Sequence, residues 1–159
     1  MKNGFTLLLA EDDDNDRTLL KFAVEKVGRK AGIDINFQSV RDGAEAIEYL
    51  KGEGPFGNRT EHPFPGLVVL DLKMPRMDGL EVLSWLQRHP QYWRIPKIML
   101  SGSELERDVE EAYRRGVNTY FQKPASLEEF RALVDHMILY WSHTKRPLIQ
   151  QPPQQQPKT

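Results

Sequence analysis

The sequence contains no cysteine, carries almost no net charge and has no long hydrophobic run. Without cysteine, the chain can form no disulfide and use no thiol nucleophile, and the usual cysteine-containing zinc sites are excluded. A formal net charge of −1 gives no bulk electrostatic reason to bind nucleic acid or an anionic membrane. No stretch approaches the roughly 20 apolar residues that span a bilayer. We therefore expect a cytoplasmic protein that binds neither nucleic acid nor membrane.

Length and composition predict one folded domain and a tail. A chain of 159 residues can bury one sizeable core. From Pro147 onward the composition changes to glutamine and proline, which cannot form a core. We expect the domain to span residues 1–146 and a disordered tail to span residues 147–159. The tail is too short for a DNA-binding domain, so output is expected to run through protein contacts.

Strand-like and helix-like patterns alternate five times along the chain. The predicted strands cover residues 5–10, 33–39, 67–71, 98–101 and 118–122. Asp42 is expected to cap the second helix, Gly79 to open the third, and capping boxes that begin at Ser103 and Ser126 to open the last two. Such alternation predicts an α/β fold, a doubly wound five-stranded parallel sheet with five helices on its two faces.

Polar side chains follow four of the predicted strands. Glu11 and Asp12 follow the first strand, Asp71 the third, Ser101 the fourth and Lys123 the fifth. The carboxyl ends of parallel strands share one edge of the sheet, where open α/β folds bind their ligands. We therefore expect these side chains to form one site.

The residue types at this edge fit phosphoryl transfer. Carboxylates bind a hard cation such as Mg²⁺ through oxygen, and the cation would neutralise Asp71 enough for it to attack phosphorus. Lys123 would supply positive charge for phosphoryl oxygens. The Ser101 hydroxyl could hydrogen-bond to one of them. The sequence predicts Asp71, Lys123 and Ser101 as the reacting set.

These residues resemble the receiver domain of two-component response regulators, over roughly residues 5 to 142. The resemblance implies a flavodoxin-like receiver fold, with Asp71 as the phosphoacceptor. It implies a Mg²⁺ site formed by Glu11, Asp12, Asp71 and the backbone carbonyl of Lys73, with Asp12 the more direct ligand of the acidic pair.

The resemblance also assigns the signalling residues. Ser101 matches the switch hydroxyl, Tyr120 the switch aromatic and Lys123 the invariant lysine. A phosphoryl group at Asp71 is expected to move Ser101 and Tyr120 together. The family usually has a cis peptide before the proline that follows the lysine, so the Lys123–Pro124 bond is expected to be cis.

A finer resemblance is to the small regulators paired with phytochrome kinases. It rests on the long loop at residues 52–66, on residues 70–72 and on the lack of an output domain. The departures are Lys73, where asparagine is common, and Ser103. The implied partners are a phytochrome-type sensor histidine kinase and a second copy, bound through the face of the fourth helix, fifth strand and fifth helix.

Other functions are open on the sequence. The chain could be a phosphorelay intermediate or a degenerate receiver acting as a scaffold, although the intact acid, serine and lysine set argues against a scaffold. It could also be a phosphatase with an aspartyl nucleophile. Such sites usually carry a second aspartate where this chain has Lys73, so we expect no enzymatic turnover of small substrates.

Three further acids lie just after Asp12. Asp13, Asp14 and Asp16 occur where the first helix begins, and carboxylates at a helix N-terminus cap free N–H groups and favour the helix dipole. We expect them to stabilise the helix rather than bind metal. The four histidines show no metal-binding spacing.

Overall fold

The computed structural model describes residues 2–145, with side chains from residue 4 onward. The predicted tail at residues 147–159 lies outside this range, so the domain boundary stays a prediction. Within the described range no helix is long and apolar enough to cross a membrane. The cytoplasmic location also stays a prediction.

All five strands form one parallel sheet, in the order β2-β1-β3-β4-β5. The strands are β1 (Lys2–Ala10), β2 (Ile33–Val40), β3 (Leu67–Leu70), β4 (Lys97–Ser101) and β5 (Thr119–Gln122). The first two predicted strands match their observed positions closely. The central strand β3 is buried along its whole length, as the apolar run predicted.

Five longer helices cover the sheet in the described part of the chain, and the first four connect successive strands, whereas the last follows β5. They are α1 (Asp14–Ala31), α2 (Gly43–Lys51), α3 (Gly79–Arg88), α4 (Glu106–Arg114) and α5 (Leu127–His143). Two short turns are additional, a 3₁₀ turn at Gly54–Phe56 and a one-turn helix at Pro90–Trp93. The predicted doubly wound sheet with five helices is therefore confirmed, with these turns added in its longer connections.

The sheet separates two hydrophobic cores. Leu7 and Leu8 are adjacent on β1, and both are fully buried, but they belong to different cores because strand side chains alternate between faces. Residues of α1 and α5 complete the core around Leu7. Residues of α2, α3 and α4 complete the core around Leu8. The sheet is thus covered on both faces, and its carboxyl edge is left for a site.

The helix starts agree with the predictions except at α4. Asp42 and Ser126 cap α2 and α5 as expected, and Ser126 does so by accepting the Glu129 N–H, which is one of the two bonds of its predicted capping box. The predicted capping box at Ser103 is wrong, because α4 begins only at Glu106 and its N-cap residue is Leu105. The Ser103 hydroxyl instead donates a hydrogen bond to Asp108.

Candidate functional site

Backbone hydrogen bonds join the four strand ends in two neighbouring pairs. The Asp71 N–H donates to the Ala10 carbonyl at 3.0 Å, and the Lys123 N–H donates to the Ser101 carbonyl at 2.8 Å. These bonds extend the sheet ladder beyond the regular strands. The predicted site residues are therefore brought together by the register of the sheet rather than by a flexible loop.

Three carboxylates converge at this edge. One oxygen each from Glu11, Asp12 and Asp71 lies within 4.8 Å of the others. Glu11 and Asp71 are 3% and 9% exposed, whereas Asp12 is exposed to solvent. Hard oxygen donors at this spacing, open on one side, fit a divalent cation that keeps several waters. Lys73 lies two residues beyond Asp71 and is exposed. Its carbonyl stays a predicted ligand.

Lys123 contacts three carboxylates at once. Its Nζ lies 2.9 Å from Glu11 Oε2, 2.9 Å from Asp16 Oδ2 and 3.5 Å from Asp71 Oδ2. The contacts to Glu11 and Asp71 follow from the predicted convergence of strand ends. The contact with Asp16 was not predicted. The ammonium thus lies beside the proposed acceptor but closer to its two other partners.

Burial and neighbouring charges change the acid–base properties of this site. Burial raises the pKa of Glu11 to about 8, and the neighbouring Asp71 adds to the rise, while Lys123 opposes it. Burial alone would lower the pKa of Lys123, but the charge of Asp71 and the hydrogen bonds to Glu11 and Asp16 outweigh it and raise that pKa. A cation bound among these carboxylates would oppose the raised pKa of Glu11, because it favours the ionised form of that carboxyl.

The start of α3 packs directly on the backbone of Asp71. A Cβ on Gly79 would lie 2.2 Å from the Asp71 carbonyl oxygen, and the Gly79 N–H donates to the Leu72 carbonyl at 2.9 Å. The Leu72 N–H donates to Asp71 Oδ1 at 2.7 Å. These contacts fix the Asp71 carboxylate and explain why a residue without a side chain is needed at position 79.

An ion pair connects the loop between β3 and α3 to the start of α2. Arg76 has a positive φ of 61°, and its Nε lies 2.8 Å from Asp42 Oδ2 at the start of α2. The Gly43 N–H donates to the Met77 carbonyl at 3.0 Å. Sequence reasoning missed this role of Arg76, because its partner Asp42 is distant in the chain and was recognised only as a helix cap.

The predicted switch residues are connected through Ser103. The Ser103 N–H donates to Ser101 Oγ at 3.2 Å, and the Tyr120 hydroxyl donates to the Ser103 carbonyl at 2.8 Å. The Tyr120 N–H donates to the hydroxyl of Tyr113 on α4 at 3.1 Å. Ser101 is buried beside the site, whereas Tyr120 is half-buried. The loop between β4 and α4 therefore links the two residues that are predicted to move together.

The acids after Asp12 have three different roles. Asp13 caps α1 by accepting the Asp16 N–H at 2.9 Å, as predicted. Asp14 pairs with Arg17, whose guanidinium also donates to the Glu11 carbonyl at 2.9 Å. Asp16 lies in the first turn of α1, where an acid was expected, and its side chain also binds Lys123, a contact that was not predicted.

The Lys123–Pro124 peptide bond is trans, so the predicted cis bond is wrong. No cis peptide occurs among residues 2–145. The preference of an X–Pro bond for trans is only about 0.5–1 kcal/mol, so a proline after the lysine does not by itself determine the isomer.

A model of the response regulator receiver domain family matches residues 7–135, a range that includes every strand end described above. The chain belongs to this family. The predicted resemblance to two-component response regulators is thereby confirmed, and so is the receiver fold.

Two curated relatives match most of this receiver. It is 36% identical over 141 residues to the probable methanogenesis regulatory protein FilR2 of Methanothrix harundinacea, with 88% of this chain and 85% of FilR2 covered. It is 34% identical over 138 residues to the response regulator Rcp1 of Synechocystis, with 87% of this chain and 89% of Rcp1 covered.

Solved response regulator structures share the receiver fold. The phosphorylated cyanobacterial phytochrome response regulator RcpA superposes with a TM-score of 0.82 at 32% identity, covering 91% of this chain and 99% of RcpA. The Mn²⁺-bound form of Rcp1 gives a TM-score of 0.79 at 33% identity, covering 90% of this chain and 99% of Rcp1. At least one relative with this fold, Rcp1, therefore binds a divalent metal ion.

Proposed function

We propose that this response regulator accepts a phosphoryl group on Asp71 from a sensor histidine kinase, in a reaction that requires Mg²⁺. One observation carries the proposal. The ammonium of Lys123 and the carboxylates of Glu11 and Asp12 converge on a buried Asp71 at the carboxyl edge of the sheet. Glu11, Asp12, Asp71 and the Lys73 carbonyl would hold the cation.

Each residue of the site has a separate role in the proposed phosphoryl transfer. When bound, the cation would neutralise the carboxylates and the incoming phosphoryl oxygens. The Leu72 N–H holds Asp71 Oδ1, and Oδ2 faces Lys123. An Asp71 oxygen attacks phosphorus while the P–N bond of the phosphohistidine breaks, and the histidine nitrogen leaves with the electron pair. Lys123 and the Ser101 hydroxyl bind the oxygens of the transferred group.

The signal is proposed to travel through the link between Ser101 and Tyr120. Once the Ser101 hydroxyl donates to a phosphoryl oxygen, the Ser103 N–H bonded to its Oγ would move with it, and the Tyr120 hydroxyl is bonded to the carbonyl of the same Ser103. Such a response needs two arrangements of similar free energy. Large apolar side chains are exposed around this link, at Leu105, Tyr113 and Leu127. They support a partner or homodimer face formed by α4, β5 and α5.

The identity of the kinase is a finer part of the proposal. The similarity to RcpA supports a phytochrome-type kinase, because RcpA is a cyanobacterial phytochrome response regulator. FilR2 is at least as similar in sequence and is named for methanogenesis. The kinase that transfers phosphate to Asp71 fastest in a purified panel would identify the partner. A preferred transfer onward to a histidine phosphotransfer protein would indicate a phosphorelay intermediate.

A small phosphodonor tests the proposal without the kinase. We expect acetyl phosphate and Mg²⁺ to add one phosphoryl group to the intact protein, as read by mass spectrometry, and a chelator to prevent the addition. A protein that stays at its original mass would be a scaffold. Sustained turnover of a chromogenic phosphate ester would instead identify the phosphatase alternative.

A further inference from the structure

Lys123 is bonded to an acid, Asp16, that lies outside the proposed metal-binding set. An ammonium has three N–H donors. Two of them reach Glu11 and Asp16 at 2.9 Å each, while Asp71 lies at 3.5 Å, beyond a good hydrogen bond. The side chain that the reaction needs beside Asp71 is therefore held toward α1.

Asp16 is well placed to hold this position. Its N–H is bonded to the Asp13 side chain in the first turn of α1, which fixes the backbone. The nearest cation in that turn, Arg17, is paired with Asp14 and with the Glu11 carbonyl, so it does not compete for Asp16. The side chain of Asp16 is 43% exposed, whereas that of Lys123 is 17% exposed.

The contact of Lys123 with Glu11 and Asp16 lies beside a small cavity with little room for water. Glu11, Asp16 and Lys123 border a cavity of about 10 Å³, whose other walls are apolar side chains of Leu9, Leu20, Leu100 and Phe130. This volume is at the lower limit for one water molecule. The ammonium and the two carboxylates thus meet against an apolar wall, where charge interactions are screened less than at an open surface.

We propose that Asp16 is a positioning residue that shares the Lys123 ammonium with Glu11 and keeps it off Asp71 until a phosphoryl group is present. The inference rests on the proposed function, because it assigns Lys123 to phosphoryl oxygens. It follows that Asp16 protects the cation site. Without its charge, Lys123 would shift toward Glu11 and Asp71 and compete with the divalent cation for both.

Titration with Mn²⁺ alone tests this competition. We expect Asp16→Asn to weaken Mn²⁺ binding roughly three- to tenfold, as loss of a partly exposed charge contact of this kind implies. Asp16→Glu, which keeps the charge, should restore most of the affinity. Asp14→Asn is the matched control. It removes the same charge from the same helical turn without touching Lys123, and should change the affinity less than about twofold.

A double-mutant cycle isolates the role of Lys123. In a Lys123→Gln background, Asp16→Asn should have no larger effect than Asp14→Asn, because no ammonium remains to be released. Equal effects of Asp16→Asn and Asp14→Asn in the wild-type background would overturn the inference. So would an Asp16→Asn effect that persists undiminished with Lys123→Gln.

A crystal structure of the metal-free Asp16→Asn protein gives an independent answer. We expect Lys123 Nζ to move to about 3 Å from an Asp71 oxygen. An ammonium that keeps its wild-type distance from Asp71 overturns the inference, whatever the Mn²⁺ data show. The mass gain with acetyl phosphate is a separate measurement. A protein that shows the predicted Mn²⁺ pattern but gains no phosphoryl group would retain the role of Asp16 and lose the proposed function.

Discussion

The hydroxyl of Tyr120 donates a hydrogen bond to the backbone carbonyl of Ser103, at 2.8 Å. This bond ties strand β5 to the loop that carries Ser101. The proposed signal must break or rearrange it, because Tyr120 cannot turn inward while its hydroxyl holds the outer loop. In the proposed signal, this bond would carry a change at Ser101 to the surface beside α4.

Removal of this hydroxyl should loosen the loop. We expect Tyr120→Phe to lower the free energy of unfolding by about 0.5–1.5 kcal/mol, the net value of one hydrogen bond. Amide exchange at residues 102–105 should become faster. Tyr140→Phe is the control, since that ring is 63% exposed on α5. Unchanged exchange at residues 102–105 in Tyr120→Phe would show that the bond does not restrain the loop.

Lys73 should lengthen the life of the phosphoprotein. Its exposed side chain follows Asp71 by two residues and is expected to lie over the open side of the site, where water must approach. A contact made equally before and during hydrolysis gives no acceleration, and bulk on the approach line hinders attack. We predict that Lys73→Ala speeds autodephosphorylation several-fold, measured by loss of the phosphoryl mass. Lys30→Ala, on the exposed end of α1, should leave the rate unchanged.

Gly79 should tolerate no side chain. The added methyl group of Gly79→Ala would lie 2.2 Å from the Asp71 carbonyl oxygen, so the start of α3 or the acceptor strand must shift. We expect a loss of about 1–3 kcal/mol in urea denaturation, as overpacking usually costs. Gly102→Ala is the matched control, because no atom lies within 4 Å of its added Cβ. Equal stability of the two variants would contradict the packing described for Gly79.

Lys97 should make stability depend on alkaline pH. Burial lowers its pKa to about 8, while its ammonium donates to the Trp93 carbonyl at 2.8 Å. The unfolded chain keeps the ordinary pKa near 10.4, so it binds more protons than the folded chain between about pH 8 and 10. This group therefore adds stability as pH rises through that window.

The comparison with Lys97→Met isolates this effect from other titrations. The difference in free energy of unfolding, wild type minus variant, should increase by roughly 1–3 kcal/mol as the pH rises from 8 to 10. Lys26→Met, at a surface position on α1, is the control and should run parallel to the wild type. A constant difference between wild type and Lys97→Met across this range would show that the folded and unfolded pKa values are the same.

The parts of the site predicted from the sequence are those that topology brings together. Glu11, Asp71 and Lys123 each follow a strand, and the ends of parallel strands must share one edge. Their convergence could therefore be predicted from the order of strands and helices alone. Asp42 and Gly79 were recognisable because caps and turns depend on residues close in the chain.

The parts that were missed depend on which of several possible partners a side chain contacts, in two cases a partner far away in the chain. Asp16 and Lys123 are 107 residues apart, and an acid in a first helical turn ordinarily stabilises that turn. Ser103 has the spacing of a capping box, but its hydroxyl reaches Asp108 instead. The left-handed backbone at Arg76 is stabilised by a contact with Asp42, 34 residues away. No local pattern encodes these choices.

The central claim is that Asp71 is the sole phosphoacceptor. The direct measurement is the intact mass of the wild type and of Asp71→Asn after incubation with acetyl phosphate and Mg²⁺. Asp34→Asn, which changes an exposed acid on β2, serves as the control. We predict that the wild type and Asp34→Asn each gain one phosphoryl group and that Asp71→Asn gains none. Undiminished labelling of Asp71→Asn would contradict the account.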